Sequence, residues 1–247
     1  MRSGEYPRGS LRLSAEPGGR FYHRHVATDI GREYIVPIYS QADVARLIVA
    51  PRSTVHNWAS GYQTTSGAFQ PPVLSAVTTG RGATVPFLAL AEAYVLNAFR
   101  RAGLPLQRIR PAVDALREHV GLEYALASER LATDGAEVLW ESGDPGDKRL
   151  VVVRNGQAVF REVVKDYLRF ITFGTGGLAT RVQLPQFTDA DVAVSPTING
   201  GRPTIIQRGI AIDDVLDRVR AGEPPTDVAK DFGLALDDVL YLNRAAA

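Results

Sequence analysis

The chain has 247 residues, and its 28 lysine and arginine side chains nearly balance its 27 aspartate and glutamate side chains. It contains no cysteine, which excludes disulfides, thiolate nucleophiles and zinc or iron–sulfur sites built from cysteine. The N-terminus lacks the apolar core of a signal peptide. The most apolar window, residues 85–99, has the spacing of an amphipathic helix and is interrupted by Glu92. We therefore expect a soluble cytoplasmic protein with no membrane span.

Charge is distributed unevenly along the chain. Residues 1–60 hold eight arginines against five acidic residues, whereas residues 186–247 hold ten acidic residues against six lysines and arginines. Such a separation indicates different partners for the two ends of the molecule.

The first part of the chain predicts an arm followed by a helix-turn-helix. Residues 1–30 are rich in Arg, Gly and Ser without periodicity, so we expect a flexible arm, and residues 34–39 predict a short strand. Ser40 and Asp43 have the spacing of a capping box, which starts a helix after Ser40. Residues 40–58 then follow the order helix, tight turn, helix.

Three positions define this helix-turn-helix. Ala45 is the small residue that lets the two helices cross closely, Val49 occupies the turn, and Val55 packs back on Ala45. The residues predicted to face the core are Val44, Leu47, Val55 and Trp58.

A wing and two long helices are predicted next. Residues 63–84 are rich in Thr, Ser, Gly and Pro and predict a loop or hairpin wing. A long helix follows, with Thr84 as its cap and Pro86 in its first turn. A second helix spans about residues 105–120, and Pro111 is expected to kink or split it.

The pattern then changes to a period of two, which predicts strands. Residues 137–140 form one candidate strand, and a hairpin is predicted to turn at Asn155-Gly156, the dipeptide suited to a type I′ turn. A second hairpin is predicted from residues 168–173 and 180–184, across the glycine-rich residues 174–177.

The last segment repeats the helix-turn-helix pattern with the opposite charge. Helices are predicted at about residues 213–220, 226–232 and 236–244. Ala229, Gly233 and Val239 repeat the spacing of the small residue, the turn and the β-branched residue in the first unit. The last helix, however, begins with Asp237 and Asp238, which the phosphates that wall a DNA groove would repel.

These elements predict a mainly α fold of the α+β class. It combines a winged helix-turn-helix with long helices, a small central antiparallel sheet, and a C-terminal unit of three helices that resembles a helix-turn-helix. The expected domains are a flexible arm (1–30), a DNA-binding domain (31–135), a β segment (136–187) and a helical domain (188–247).

We predict that the second helix of the first unit reads DNA. Its expected outward residues are Arg52, Ser53, Thr54, His56 and Asn57. Arginine can bond guanine in a bidentate manner, asparagine can bond the edge of adenine, and Ser or Thr can bond a phosphate or a base. Tyr62 and Arg81, beside the wing, are candidates for contacts with the DNA backbone. A structural helical hairpin with a polar face is the alternative interpretation.

Residues 39–62 resemble the opening unit of MerR-type regulators. In that family an Ala-rich helix precedes a recognition helix that ends in Trp and then Gly-Tyr, which correspond here to Trp58 and Gly61-Tyr62. Residues 85–123 continue the resemblance as long helices. Val49 stands where a turn glycine is usual.

The C-terminal segment is similar to a widespread small antitoxin domain, which opens with Gly-Gly-Arg/Lys-Pro and has a three-helix body. The matching residues here are 200–205, 208–210, Val215, Leu216 and Gly222. Together, residues 35–247 resemble the large VapB-type antitoxins. This resemblance implies an antitoxin of a type II toxin–antitoxin system. Such a protein neutralises a PIN-domain ribonuclease toxin and, as a homodimer, represses its own operon by binding operator DNA.

Acidic residues of the C-terminal segment are candidates for contact with that partner. They are Asp213, Asp214, Asp237 and Asp238. An acidic surface with apolar neighbours can bind a basic protein surface. The alternative is that these carboxylates only stabilise helix N-termini through the helix dipole.

The sequence contains no recognisable catalytic arrangement. His23 and His25 lack a nearby third metal ligand, and no helix follows the glycines at 174–177, as a phosphate-binding loop requires. We therefore expect no enzyme, no metal and no cofactor. Two other hypotheses stay open. One is a MerR-like transcription regulator without a toxin partner, which would respond to a small molecule bound among the long helices. The other is an interaction scaffold without DNA affinity.

Overall fold

The computed structural model describes residues 30–104, 106–120, 123–133 and 166–246. Within these ranges the α-helices are α1 Arg32–Ile35, α2 Gln41–Leu47, α3 Arg52–Ser60, α4 Phe87–Arg101, α5 Leu106–Val120, α6 Arg130–Thr133, α7 Ile212–Arg220, α8 Pro225–Phe232 and α9 Leu236–Ala245. The strands are β1 Pro37–Tyr39, β2 Tyr62–Gln63, β3 Phe69–Gln70, β4 Val85–Pro86, β5 Ile171–Phe173, β6 Ala179–Gln183, β7 Val192–Val194, β8 Thr204–Ile205 and β9 Ile210–Ala211. The arm up to residue 29, the strand at 137–140 and the hairpin at Asn155-Gly156 lie outside the described residues.

Helices α2 and α3 form the predicted helix-turn-helix, and local chemistry explains where α2 begins. The hydroxyl of Ser40 accepts a hydrogen bond from the backbone N–H of Asp43 at 3.1 Å. In return, the Asp43 carboxylate accepts one from the backbone N–H of Ser40 at 3.0 Å. The predicted capping box is therefore confirmed. All four residues predicted to face the core are buried: Val44, Leu47, Val55 and Trp58.

The start of α4 differs from the prediction. Thr84 does not cap the helix; its backbone N–H donates to the carbonyl of Tyr39 at 2.9 Å. Pro86 precedes the helix instead of lying in its first turn, because Val85 and Pro86 pair with β1 as an antiparallel strand. This pairing keeps the backbone extended, and α4 begins only at Phe87.

The helix α4 is the centre of the core. Every side chain from Phe87 to Phe99 is buried, because α1, β1, β4, β6 and the 3₁₀ turn Ala125–Ala127 pack around it. The sequence predicted one apolar stripe, yet the polar residues Glu92 and Asn97 are buried as well. None of the described helices has the length and apolar character needed to cross a bilayer.

The next helix, α5, packs Ile109 and Val113 into the same core. Pro111 lies inside it with an exposed side chain, and the helix continues from Leu106 to Val120, so the predicted split does not occur. Proline removes the N–H that would bond the carbonyl of residue 107. Because Gln107 is exposed, water can satisfy that carbonyl.

An antiparallel sheet, five-stranded within the described ranges, has the order β5-β6-β7-β8-β9. Its first two strands confirm the hairpin predicted across residues 174–177. The 3₁₀ turn Pro185–Ala190 returns the chain directly to β7, which pairs with β6. The sheet therefore runs across residues 187 and 188, where the sequence suggested a domain boundary.

The helices α7, α8 and α9 enclose a small second cluster of buried residues. Its members are Val215, Val228, Ala229 and Val239. The pair Ala229 and Val239 thus lies in one core, as the repeated pattern predicted. Gly233 follows α8 in the left-handed conformation, with φ of 64°, which suits a glycine after a helix end.

Two hydrogen bonds connect the C-terminal half of the chain with the helix-turn-helix. The Tyr39 hydroxyl, at the end of β1, donates to the carbonyl of Gly201 at 2.8 Å in a buried position. The Gln186 side-chain amide donates to the carbonyl of Leu47, at the end of α2, at 3.2 Å. The two halves are therefore packed together next to the helix-turn-helix.

Candidate nucleic-acid interface

One side of α3 is an exposed stripe. Arg52, Ser53 and His56 are exposed on it, and Ser60 extends it by one turn. Residues 52, 56 and 60 are four positions apart, so they share one face of the helix. The sequence analysis did not single out Ser60. The i, i+4 spacing is the signal that would have found it.

Thr54 and Asn57 lie on a different side of α3. Both are half-buried, and together with Tyr62 they line a groove toward α4 and α5. The five residues predicted as one outward face therefore divide into an exposed stripe and a half-buried flank. The division arises because α3 packs against α2 on one side and borders the groove shared with the long helices on another.

The N-terminus of α3 has a positive electrostatic character. Pro51 is its N-cap residue and offers no side-chain hydrogen bond, and the first turn contains no acidic residue. Free N–H groups and the helix dipole favour an anion at such an end. Arg52 adds a full positive charge there.

His56 is held against the first turn of α2. Its Nδ1 lies 3.0 Å from Oε1 of Gln41, at the exposed surface. This hydrogen bond orients the imidazole ring and leaves Nε2 without a partner among the described residues. The other ring nitrogen is therefore available to a base or a phosphate.

The turn between α2 and α3 is held by two side-chain amides. Asn97 of α4 donates to the carbonyl of Ile48 at 2.7 Å, in a buried position, and Gln186 donates to the carbonyl of Leu47. Val49, the turn residue, is in the left-handed region with φ of 53°, and its side chain is 59% exposed. Contacts from outside the helix-turn-helix therefore support a turn in which glycine would be the easier residue.

A small hairpin follows α3 directly. Strands β2 and β3 pair as two-residue strands, and Phe69 on β3 is 61% exposed. Tyr62, at the start of β2, is half-buried, and Arg81 lies exposed on the loop that leads to β4. The structure thus places Tyr62 next to the flank of α3 and Arg81 on a separate loop.

The four acidic residues predicted to meet a partner have different surroundings. Asp214 forms an ion pair with Arg202, with Nη1 and Oδ1 2.7 Å apart, so its charge is balanced within the molecule. Asp213, Asp237 and Asp238 form no salt bridge among the described residues. Arg202 belongs to the Gly-Gly-Arg-Pro segment, and sequence reasoning did not foresee its pairing.

The exposed face of α9 combines acid with apolar surface. Leu236 and Leu240 are 39% and 38% exposed, and Asp237 lies exposed between them. Residues 236 and 240 are one turn apart and share a face of the helix. This face can therefore contact a protein surface that carries apolar and basic side chains.

The described residues contain no group of three or more His, Asp or Glu side chains placed to hold a metal ion. The polar groups of the interface are instead hydrogen-bond donors and cations around α3.

Comparison with known proteins assigns the chain to a family. It is 44% identical over 219 residues to a Mycobacterium tuberculosis protein named "Putative antitoxin VapB45", and the match covers 83% of this chain and 91% of that protein. The chain belongs to the VapB45 family. A second member from the same organism, "Uncharacterized protein Rv2308", is 31% identical over 82% of this chain and 87% of its own length.

The chain is also similar to a protein of known structure. The crystal structure of Rv2018 from Mycobacterium tuberculosis superposes with a TM-score of 0.69 and 39% identity, covering 84% of this chain and 97% of that one. Two domain families match parts of the chain. Residues 37–113 match a "Putative DNA-binding HTH domain", and residues 192–242 match a "Protein of unknown function (DUF433)". The first match contains the helix-turn-helix, and the second contains all four acidic residues named above.

Proposed function

We propose that this chain is the antitoxin of a type II toxin–antitoxin system. It binds and neutralises a PIN-domain ribonuclease toxin in the cytoplasm, and it represses its own operon by binding operator DNA through a MerR-like winged helix-turn-helix. The observation that supports this most is the exposed stripe of α3, with its positive N-terminus, in a member of the VapB45 family. The protein acts by binding and carries out no catalysis.

The DNA-binding part of the proposal assigns the stripe to the major groove. Arg52, Ser53 and His56 would contact base edges, while Thr54, Asn57, Tyr62 and Arg81 would contact the flanks and the backbone. A homodimer presents two copies of α3, which half-sites one helical turn apart on an operator would match.

The first experiment measures binding to a duplex taken from upstream of the chain's own gene. Arg52→Ala should weaken binding by about tenfold or more and reduce the preference over a scrambled duplex, because a bidentate contact with guanine contributes about 1–3 kcal/mol. Arg46→Ala is the matched control, since Arg46 is an exposed arginine of α2 outside the stripe. Equal binding by wild type and Arg52→Ala would remove α3 from the interface.

The toxin-binding part of the proposal assigns the acidic face of the C-terminal helices to the toxin. Asp213, Asp237 and Asp238 would contribute charge, Leu236 and Leu240 would contribute apolar surface, and Asp214 would stabilise Arg202 internally. Removing residues 188–247 would be a poor test, because β7, β8 and β9 belong to a sheet that begins before them. Point substitutions leave that sheet intact.

The second experiment co-expresses the chain with the proposed PIN-domain toxin. The double change Asp237→Lys with Asp238→Lys should weaken the complex at least tenfold and restore ribonuclease activity, because it reverses the charge of the contact. Asp227→Lys, an exposed acid at the start of α8, is the control. A complex of unchanged strength in the double variant would place the toxin elsewhere on the chain.

The alternative, a MerR-like regulator that responds to a small molecule, predicts a ligand pocket among the long helices. Within the part of the chain that the structure describes, the groove between α3, α4 and α5 has a volume of about 250 Å³. This is below the range of about 300–1,000 Å³ that is typical of ligand pockets. The antitoxin function therefore has the better support.

A further inference from the structure

The groove between α3 and the long helices has a distinctive lining. Its buried part is apolar and consists of Trp58, Leu96 and Ile109. Its polar part consists of Thr54 and Asn57 from α3, Tyr62 from β2 and Arg100 from the last turn of α4. The sequence analysis named the first three of these polar residues as candidate DNA contacts, but it did not name Arg100.

Every polar side chain in the groove can donate a hydrogen bond, and no acidic residue lines it. Arg100 is exposed and forms no ion pair or side-chain hydrogen bond among the described residues. An unpaired cation beside three uncharged donors is complementary to an anion with several acceptor oxygens, such as a phosphate.

The position of the groove points to DNA as the source of that phosphate. Thr54 and Asn57 directly follow Ser53 and His56 of the exposed stripe. The major groove of DNA is about 12 Å wide, and a helix with its side chains is about 10–12 Å across. A helix that enters the major groove therefore brings its flanks next to the sugar–phosphate backbones.

We propose that this groove receives a phosphate of the DNA backbone, with Arg100 as its charged contact and with Thr54, Asn57 and Tyr62 as neutral donors. This inference rests on the proposed DNA-binding function and extends the interface from the helix-turn-helix to α4. Since phosphate contacts position a protein without reading sequence, Arg100 contributes affinity and Arg52 contributes specificity.

The test measures the salt dependence of binding to two duplexes, the upstream fragment and a scrambled fragment of equal length. The slope of log K against log salt is negative, and each phosphate contact that a cation makes adds about 0.9 to its magnitude, which is called the slope from here on. Arg100→Gln should lower that slope by about 0.9 on both duplexes, and it should weaken both by about eightfold at roughly 0.1 M salt. Arg100→Lys retains the charge and should retain most of the slope.

Arg101→Gln is the matched control. Arg101 is the next residue of the same helix, it is also exposed, and it does not line the groove. A slope equal to that of wild type in Arg100→Gln, or an equal loss in Arg101→Gln, would overturn the proposal. Thermal melting of all variants tests whether the fold is unchanged.

The two levels of the proposal can fail separately. If wild type does not prefer the upstream duplex, the operator function fails, while the slopes on the scrambled duplex still report whether Arg100 contacts phosphate. If wild type prefers the upstream duplex and Arg100→Gln has the wild-type slope, only the phosphate contact is wrong.

Discussion

Glu92 is a carboxylate without any exposed surface in the middle of α4. It accepts hydrogen bonds from the backbone N–H of Ser75 at 2.7 Å and from the Ser75 hydroxyl at 3.0 Å, and Arg117 of α5 lies 3.7 Å away. Burial raises the pKa of Glu92 to about 7, because the loss of hydration outweighs the stabilising charge of Arg117 and the hydrogen bonds from Ser75. Burial raises the pKa of the neighbouring Tyr124, and the charges of Glu123 and Glu92 add to that shift.

We expect this carboxylate to make stability depend on pH. The pKa of Glu92 is higher in the folded chain than in the unfolded chain, where it is near 4.5. The stability that this group contributes is therefore fully present below pH 4.5 and is lost as the pH rises through 7. Glu92→Gln keeps an acceptor for Ser75 and cannot ionise. Relative to that variant, wild type should lose about 2–3 kcal/mol of unfolding free energy between roughly pH 5 and pH 8.

Urea denaturation at a series of pH values measures this difference. Other titrating groups cancel between the two proteins, so the difference curve reports on Glu92. Parallel curves of unfolding free energy against pH for wild type and Glu92→Gln would show that the pKa of Glu92 is not raised by folding. Glu92→Leu should destabilise at every pH, because it leaves the Ser75 N–H without its acceptor and the partly buried Arg117 without its counter-charge.

At the scale of elements, the two helix-turn-helix patterns have the same geometry and different chemistry. Val49 and Gly233 occupy equivalent turns and both have positive φ, 53° and 64°. Only glycine adopts this region without strain, and a β-branched residue is the least suited to it. The first turn is therefore strained and is held by the hydrogen bonds from Asn97 and Gln186.

Replacing that valine should stabilise the protein. Val49→Gly relieves about 1–2 kcal/mol of backbone strain and gives back part of this gain as additional freedom of the unfolded chain. We expect a net gain of about 1 kcal/mol, which raises the melting temperature by about 2–4 °C in a protein of this size. Differential scanning calorimetry measures the shift.

Val49→Ala is the control, since alanine also carries a Cβ at positive φ and should gain less. A lower melting temperature for Val49→Gly would mean that contacts of the valine side chain stabilise the folded protein by more than the backbone strain destabilises it. Because Val49 lies outside the stripe on α3, binding to the upstream duplex should stay close to that of wild type.

At the scale of the whole molecule, the C-terminal half packs directly against β1. Gly201 has φ of 83°, and a Cβ there would lie 2.5 Å from the Tyr39 hydroxyl and 2.6 Å from Cδ1 of Ile38. The neighbouring Gly200 has φ of 62° and open space around it. The Gly-Gly-Arg-Pro segment therefore requires its second glycine for packing against the strand that leads into the helix-turn-helix.

We expect these two glycines to differ in their tolerance of alanine. Gly200→Ala should cost about 1 kcal/mol, the strain of a left-handed residue. Gly201→Ala adds a steric clash and should cost about 2–4 kcal/mol in total. Chemical denaturation of the two variants measures the contrast, and equal losses would show that the contact between Gly201 and Tyr39 is not closely packed.

This packing also connects the proposed toxin-binding face of α9 with the turn before α3. The side-chain amide of Gln186 donates a hydrogen bond to the carbonyl of Leu47 at the end of α2. The backbone carbonyl of Gln186 accepts a hydrogen bond from the Tyr241 hydroxyl of α9 at 3.2 Å. A partner on α9 is therefore two hydrogen bonds away from the turn before α3. Coupling of this kind is reciprocal, so DNA would also change toxin affinity.

Much of the local structure could be predicted from the sequence. The capping box at Ser40 and Asp43, the buried faces of α2 and α3, and the hairpin of β5 and β6 follow from residues close together in the chain. Patterns of this kind depend on backbone periodicity and side-chain capping, which neighbouring residues determine. The predicted start of α4 was wrong because it depends on a distant contact. Val85 pairs with Tyr39 of β1, 46 positions earlier, and neighbouring residues do not reveal this pairing.

The sequence by itself indicated the helices of the two helix-turn-helix patterns, the two long helices and the hairpin of β5 and β6, and it showed that the two ends carry opposite charge. It did not predict the helix α1 or the strands β4, β7, β8 and β9. Only the tertiary structure decided that Thr54 and Asn57 leave the exposed stripe, that Arg202 balances Asp214, and that Glu92 is fully buried. These features depend on contacts between distant parts of the chain, such as Tyr39 with Gly201, 162 positions apart. Local periodicity shows which face of a helix is buried, but the neighbour that covers it is known only once the chain has packed.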